Sequence, residues 1–229
     1  MSKSIAIVGA PGAGCTSTAA ALAALTAQQV ETSVLLVFCD SVLPPKSYLC
    51  ESQAAESLGG QLVEAGELPE GRLLRAVEPI TDYFGVIGYN TGDHRTTFPA
   101  PTRGGAEKWC RAIATLADIV LYDVGSAVET ALAAYLLEKA DAVVTVMGAD
   151  VKSAAWHKHI GKSLRSDLQV INNVRKGQPV DLFHDFANDS FVLPYSSELQ
   201  EQLQTLQLFH TIEDRHYKTA LEELHNRLK

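Results

Sequence analysis

Short apolar runs alternate with longer stretches of helical character along the whole chain. Residues 4–8 (SIAIV) are continuous, rich in β-branched side chains and closed by Gly9, the pattern of a strand buried on both faces. Residues 16–29 (TSTAAALAALTAQQ) are dominated by alanine and leucine, strong helix formers, and predict the first helix. Residues 33–38 (SVLLVF) predict a second buried strand, ending at Cys39-Asp40. Further strands are expected at 83–88, 119–122, 142–147, 168–171 and 190–193. Helical patterns at 105–117, 128–139, 151–164 and 197–206 lie between most of them. Strands that are apolar on both faces and joined by helices make a mostly parallel sheet covered on both sides.

Two stretches break the alternation. In 41–82, Leu43-Pro44-Pro45 and Leu58-Gly59-Gly60 interrupt any long element, and 89–104 reads as a surface loop. Near the C-terminus, Thr211 followed by Glu213 and Asp214 predicts a helix start with acids in the first turn. Tyr217, Leu221, Leu224 and Leu228 then share one face, expected to pack on the rest of the chain. No internal repeat or linker divides the sequence, so residues 1–229 are expected to form a single domain.

Composition narrows the function. With 46% hydrophobic and 20% charged residues the chain buries a substantial core, which excludes disorder. A net charge of −8 excludes a protein whose whole surface embraces nucleic acid. One acid-free segment remains, with Lys152, His157, Lys158, His159, Lys162 and Arg165 around Trp156. It reads as a solvated helix face or, alternatively, as a DNA contact through Lys152, Lys158, Lys162 and Arg165. The four cysteines have neither CxxC pairing nor regular spacing, which suits a reducing cytosol rather than disulfides or zinc. The N-terminus lacks the series of features that marks a signal peptide, and no apolar run reaches bilayer length. A soluble, cytoplasmic protein without a transmembrane segment is expected.

The candidate chemistry lies in Gly9-Ala-Pro-Gly-Ala-Gly14-Cys15-Thr16-Ser17, between the first strand and the first helix. A phosphate-binding P-loop asks for GxxxxGK[ST] in this setting, and Gly9, Gly14 and Thr16 occupy the required positions. Cys15 stands where the lysine belongs. Glycines still permit an inward-pointing nest of amides at the helix N-terminus, and the Thr16 hydroxyl can still serve Mg²⁺. What is lost is the cation on the β/γ-phosphates, which hydrolysis needs more than binding does. Two other readings stand beside this one. The loop can be a plain strand-to-helix turn, or a dinucleotide fingerprint beginning at Gly12, with Asp40 near a ribose. Cys15 reads as a small neutral filler or, at a helix N-terminus, as a reactive thiol.

In their order along the chain these segments resemble the MinD/ParA group, ATPases with a deviant Walker A motif written KGGxGK[ST]T. Here the matching stretch is Ala10-Pro11-Gly12-Ala13-Gly14-Cys15-Thr16-Ser17, so Ala10 and Cys15 replace both lysines. The family's VDxD strand end is Val37-Phe38-Cys39-Asp40, with Phe38 in place of the first acid. Asp118-Ile-Val-Leu-Tyr-Asp123 resembles the Walker B strand, and Ala140-Asp141-Ala-Val-Val-Thr-Val146 the family's ADxVVxV. Val170-Ile171-Asn172-Asn173 and Phe191-Val-Leu-Pro194-Tyr195 resemble the strands whose ends line the base pocket. A capsule-type tyrosine kinase would carry a C-terminal tyrosine cluster, and the nitrogenase-like relatives paired cysteines; neither is present.

The resemblance implies a three-layer P-loop NTPase-like α/β fold. It implies ATP or ADP with Mg²⁺ held by Gly9, Gly12, Ala13, Gly14, Cys15, Thr16, Ser17, Asn172, Pro194 and Tyr195. Thr16 and Asp123 would hold the metal and Asp40 would orient water. In this family such a chain would be a homodimer attached to a larger assembly, such as a pilus, secretion or partition system. With its lysines gone, it would act as a scaffold or positioning factor, or as a slow ATPase drawing a cation from elsewhere, for instance from Arg95 or Arg103. Ser197 and Gln200 are expected to form a capping box.

Overall fold

A computed structural model describes residues 2–28, 32–64, 67–178, 180 and 190–229. Its centre is an eight-stranded sheet of β1 (Lys3–Gly9), β2 (Val34–Phe38), β3 (Glu78–Thr81), β4 (Phe84–Ile87), β5 (Ile119–Gly125), β6 (Ala142–Gly148), β7 (Leu168–Val174) and β8 (Phe191–Pro194). The strands lie in the order β3-β4-β2-β5-β1-β6-β7-β8. Every pairing is parallel except β3 with β4. Every residue of β2 and β4 is buried, as apolar runs without alternation require.

β5 lies between β1 and β2. This order is incompatible with the dinucleotide reading, in which the second strand neighbours the first and brings its terminal acid to the ribose. Here Phe38, the residue before Cys39-Asp40, is in register with Asp123 of β5.

Helices α1 (Cys15–Ala27), α5 (Arg103–Ile113), α6 (Ala131–Lys139), α7 (Val151–His159), α8 (Ser197–Gln204) and α9 (Arg215–Arg227) cover the sheet. The 41–82 stretch holds three short helices, α2 (Lys46–Leu49), α3 (Leu58–Leu62) and α4 (Glu70–Leu74), followed by β3. β3 escapes sequence reading because it is four residues long and contains Pro79, which an edge strand tolerates. Residues 89–102 form no helix or strand, as expected of that loop.

Several boundaries differ from expectation. α5 starts at Arg103 because Thr102 caps it, and α6 starts at Ala131 because Thr130 caps it. α7 ends at His159, and residues 161–163 form a separate 3₁₀ turn. The cap of α8 is Ser196, whose hydroxyl accepts from the Leu199 amide, so the expected box of Ser197 with Gln200 does not form. The last helix begins at Arg215 rather than near Thr211, because Asp214 is its cap and accepts from the His216 and Tyr217 amides.

α1 is buried along nearly its whole length, between the sheet and α9. Its alanines allow that close approach. Tyr217, Leu221, Leu224 and Leu228 all point inward, confirming the intramolecular stripe. Leu224 is fully buried and Glu222 exposed. Leu224→Ala is therefore expected to cost about 2–5 kcal/mol of stability, and Glu222→Ala to stay within about 0.5 kcal/mol, both read from urea unfolding midpoints at unchanged slope.

Candidate functional site

The site grows from the end of β1. A Cβ at Gly9 would lie 2.0 Å from the Val146 carbonyl oxygen of β6 and 2.7 Å from Cys15 Sγ, so no larger residue fits there. The Ala10 amide donates to that same carbonyl (3.1 Å), and the Ala13 amide turns back to the Ala10 carbonyl (3.0 Å). Gly12 and Gly14 take φ of 78° and 88°, the left-handed region that glycine enters without strain. Gly14 caps α1 without a side-chain hydrogen bond. The amides of Gly12, Gly14, Thr16 and Ser17 donate to no acceptor among the described residues. Free amides at a helix start, facing open space, are the elements of an anion cradle.

An open cavity of about 390 Å³ lies over this loop. Loop residues 10–17 line it with Asp40, Gly125, Ser126, Asn172, Asn173, Pro194 and the α8–α9 side chains Leu199, Gln200, Leu203 and Tyr217. Among the described residues no lysine, arginine or histidine is part of its walls. Gly9 stands behind the cradle and fixes its geometry without reaching the cavity.

Thr16 Oγ1 donates to Asp123 Oδ2 (2.7 Å), so the two expected metal ligands meet across 107 residues. Asp123 is 1% exposed, and its Oδ1 has no hydrogen-bond partner among the described residues. Burial pushes its carboxyl up to about 7, against the Thr16 hydroxyl bond that favours the charge, while the Asp40 charge adds to the rise. Asp40 Oδ1 accepts from the Val42 (2.7 Å) and Leu43 (3.2 Å) amides, which holds the carboxylate at the cavity wall. A hydroxyl, an orphaned buried carboxylate oxygen and a nearby second carboxylate are the hard oxygen donors that Mg²⁺ prefers. Among the described residues no three His, Cys, Asp or Glu side chains form a self-sufficient metal site. The donor set therefore fits a Mg²⁺ that shares its coordination with ligand phosphates.

Cys15 is buried with Sγ against Gly9, and burial, with the Asp123 charge adding, holds its thiol far above the ordinary range. This is the neutral filler, not the reactive thiol. Phe38 is wholly buried and packs near Phe209 (6.4 Å between ring centroids), so the family's first acid is replaced by a core side chain.

Asn172 does reach the site, but its Nδ2 donates to the Ala13 carbonyl (2.8 Å), and a Cβ on Gly14 would lie 2.4 Å from that nitrogen. It braces the loop. Pro194 lines the cavity as expected, whereas Tyr195 does not: its ring lies under the Arg175 guanidinium, 4.7 Å away. The suggested substitute cations are also elsewhere. Arg103 pairs with Glu138, and Arg95 lines a separate apolar cavity with Phe98 and Tyr89.

In the basic segment, Trp156 and His157 are buried, and Arg165 binds Asp167 (2.7 Å) and the Ala140 carbonyl (2.7 Å). Lys152, Lys158 and Lys162 remain exposed. Sequence reading missed Ser126, Asn173, Gln200 and Leu203 as cavity residues, and took Tyr217 for core alone. The signals that pointed toward any of them were the Asn172-Asn173 strand end and the apolar stripe of α9 that holds Tyr217.

No protein-family model matches this chain, and no curated protein does. Solved structures do. A ParA family ATPase from Chlorobium tepidum TLS superposes with a TM-score of 0.79 at 17% identity, covering 96% of each chain. The cell division ATPase MinD of Pyrococcus furiosus gives 0.74 at 16%, covering 99% of this chain and 100% of that one. The fold is that of the ParA/MinD ATPases. The septum site-determining protein MinD of Pyrococcus horikoshii OT3, complexed with Mg-ADP, shares the fold at a TM-score of 0.68 and 15% identity, with 98% and 96% coverage. Among the described residues no helix is long and apolar enough to cross a membrane.

The raised carboxyl of Asp123 has a consequence for stability on this ParA/MinD scaffold. An acid whose folded-state pKa lies above its unfolded value stabilises the fold fully below the unfolded value, and that contribution is lost as pH rises through the folded one. Without nucleotide or Mg²⁺, Asp123→Asn is expected to melt above the wild type at pH 8. The advantage should shrink toward pH 5, as thermal unfolding across that range will show.

Proposed function

We propose that this chain is a degenerate ParA/MinD-type nucleotide-binding protein, one domain over residues 1–229, that binds ATP or ADP with Mg²⁺ and turns it over slowly or not at all. The observation that carries this reading is the open cradle of free amides at Gly12, Gly14, Thr16 and Ser17, facing a cavity whose walls hold no cation among the described residues. Backbone amides and a helix dipole suffice to bind an anion. A fixed cation is what lowers the barrier as charge develops on the transferring phosphoryl group, and its loss weighs more on turnover than on binding. Thr16 and Asp123 would hold Mg²⁺ between them and the phosphates. The metal would neutralise the tail, while Asn172 keeps the loop in shape.

Such a protein works by state rather than by turnover. It is a scaffold or positioning factor whose nucleotide-bound form pairs with a second copy and presents a surface to a larger machine of the pilus, secretion or partition type. A cytosolic setting suits its free, mostly buried thiols. DNA contact through Lys152, Lys158 and Lys162 is the weaker partner reading, since Arg165 is already committed within the fold.

One observation favours a slow but genuine ATPase: Asp40 is fixed at the cavity wall, near enough to Asp123, the partner of Thr16, for its charge to act on that carboxyl. Calorimetry with ATP and Mg²⁺ followed by phosphate release separates the two. Binding without release is the expected result. Release abolished by Asp40→Asn would establish the ATPase, and absence of binding would leave a nucleotide-free interaction domain.

Cys15→Lys should raise ATP affinity by roughly tenfold or more, the scale of a charge-assisted contact. No gain in the same titration would mean that the loop no longer presents phosphate where the ammonium can reach it.

A further inference from the structure

A second cavity, of about 420 Å³, adjoins the loop on its other side. It shares Gly12, Ala13, Asn172 and Asn173 with the first cavity, so the two meet across the loop tip and the end of β7. Its remaining walls are the end of β6 with Asp150, and the turn of Arg175, Lys176, Gly177 and Gln178 that follows β7. This turn is anchored. Asn173 and Gly177 take φ of 63° and 78°, the Gln178 amide donates to the Arg175 carbonyl (3.0 Å), and Gln178 Nε2 donates to the Ala149 carbonyl (2.8 Å). The Arg175 guanidinium is stacked over the Tyr195 ring, which limits where its charge can go. Arg175 and Lys176 are exposed, and neither forms an ion pair among the described residues.

We propose that the turn after β7 supplies the positive charge that the glycine loop lacks, Arg175 and Lys176 holding the oxygens of a nucleoside polyphosphate that face the loop tip. The inference rests on the nucleotide-binding reading of the loop and names the groups that complete it. The amides of the cradle bind the phosphate chain from the helix side. The turn closes on it from the side of Gly12 and Ala13, where the space beside Gly12 is open. A cation carried on a turn beside the loop can strengthen binding without lying against the terminal phosphoryl group. That position fits a protein that retains nucleotide without rapid hydrolysis. Asp150, on the opposite wall, caps α7 through the Ser153 amide (2.8 Å), so its charge is partly engaged there.

The test is titration of the full chain with ATP and Mg²⁺, and separately with inorganic tripolyphosphate. Arg175→Gln combined with Lys176→Gln is expected to weaken both ligands together by roughly 10- to 100-fold, the scale of two charge-assisted contacts. The salt dependence of binding should flatten at the same time. The charge-keeping exchange, Arg175→Lys with Lys176→Arg, should stay within a few-fold of wild type. Lys176→Gln alone, at an exposed turn position, should keep the wild-type melting temperature and give a partial loss. Unchanged ATP and tripolyphosphate affinity in the double variant overturns the inference while leaving the nucleotide reading intact. Loss of ATP but not of tripolyphosphate overturns it too, because the turn would then be reading the nucleoside. A wild-type chain that binds neither ligand brings down the nucleotide reading, and this inference with it.

Discussion

The closeness of Gly9 to the Val146 carbonyl sets the geometry of everything around it. β1 and β6 pair up to that point, and there the Ala10 amide still finds the strand carbonyl while the chain leaves the sheet. Because a side chain at Gly9 would collide with backbone, only glycine lets the chain leave the sheet this close to β6, and α1 starts where its first amides face the cavity. The helix can lie so near the sheet because alanines line it. It stays there because α9 closes over its far side with Tyr217, Leu221 and Leu224. Cradle, core and C-terminal helix therefore form one packed unit.

A second constraint acts across the sheet. Inserting β5 between β1 and β2 brings Asp123 under the loop and places Asp40, just past the end of β2, at the rim of the same cavity. Two acids close to an anion cradle repel the ligand that the cradle attracts. In a P-loop with its lysine the cation resolves this conflict. Here it is eased in part by burial, which favours protonation of Asp123, and by the Thr16 hydroxyl that satisfies one carboxylate oxygen. A divalent ion bound with the phosphates would resolve it fully by turning both acids from repulsive to attractive groups.

The parallel sheet was legible because its strands are uninterrupted apolar runs, whose burial on both faces needs no knowledge of partners. The loop was legible for a similar reason: glycines at fixed spacing between a strand and a helix are a local signal. Thr16 with Asp123 could be guessed from motif order. Asn172 could be placed at the site, but its bond to the Ala13 carbonyl spans 159 residues, and nothing local announces it. Tyr195 was misplaced because the choice between facing the cavity and stacking under Arg175 depends on the turn after β7. The start of α8 was placed correctly at Ser197, but its cap was misjudged by one residue because Ser196 and Ser197 are equally good capping types. β3 was invisible because an edge strand of four residues with a proline carries no pattern of its own.

Three positions at which the motifs of the resembled family carry charge have a common physical reading here. Ala10, Cys15 and Phe38 are all apolar and all buried, and each replaces a charged group of the family pattern with a packed one. A buried charge without a partner is expensive, and these three apolar side chains avoid that cost. A loop built with these side chains holds no buried cation that an anion would have to satisfy.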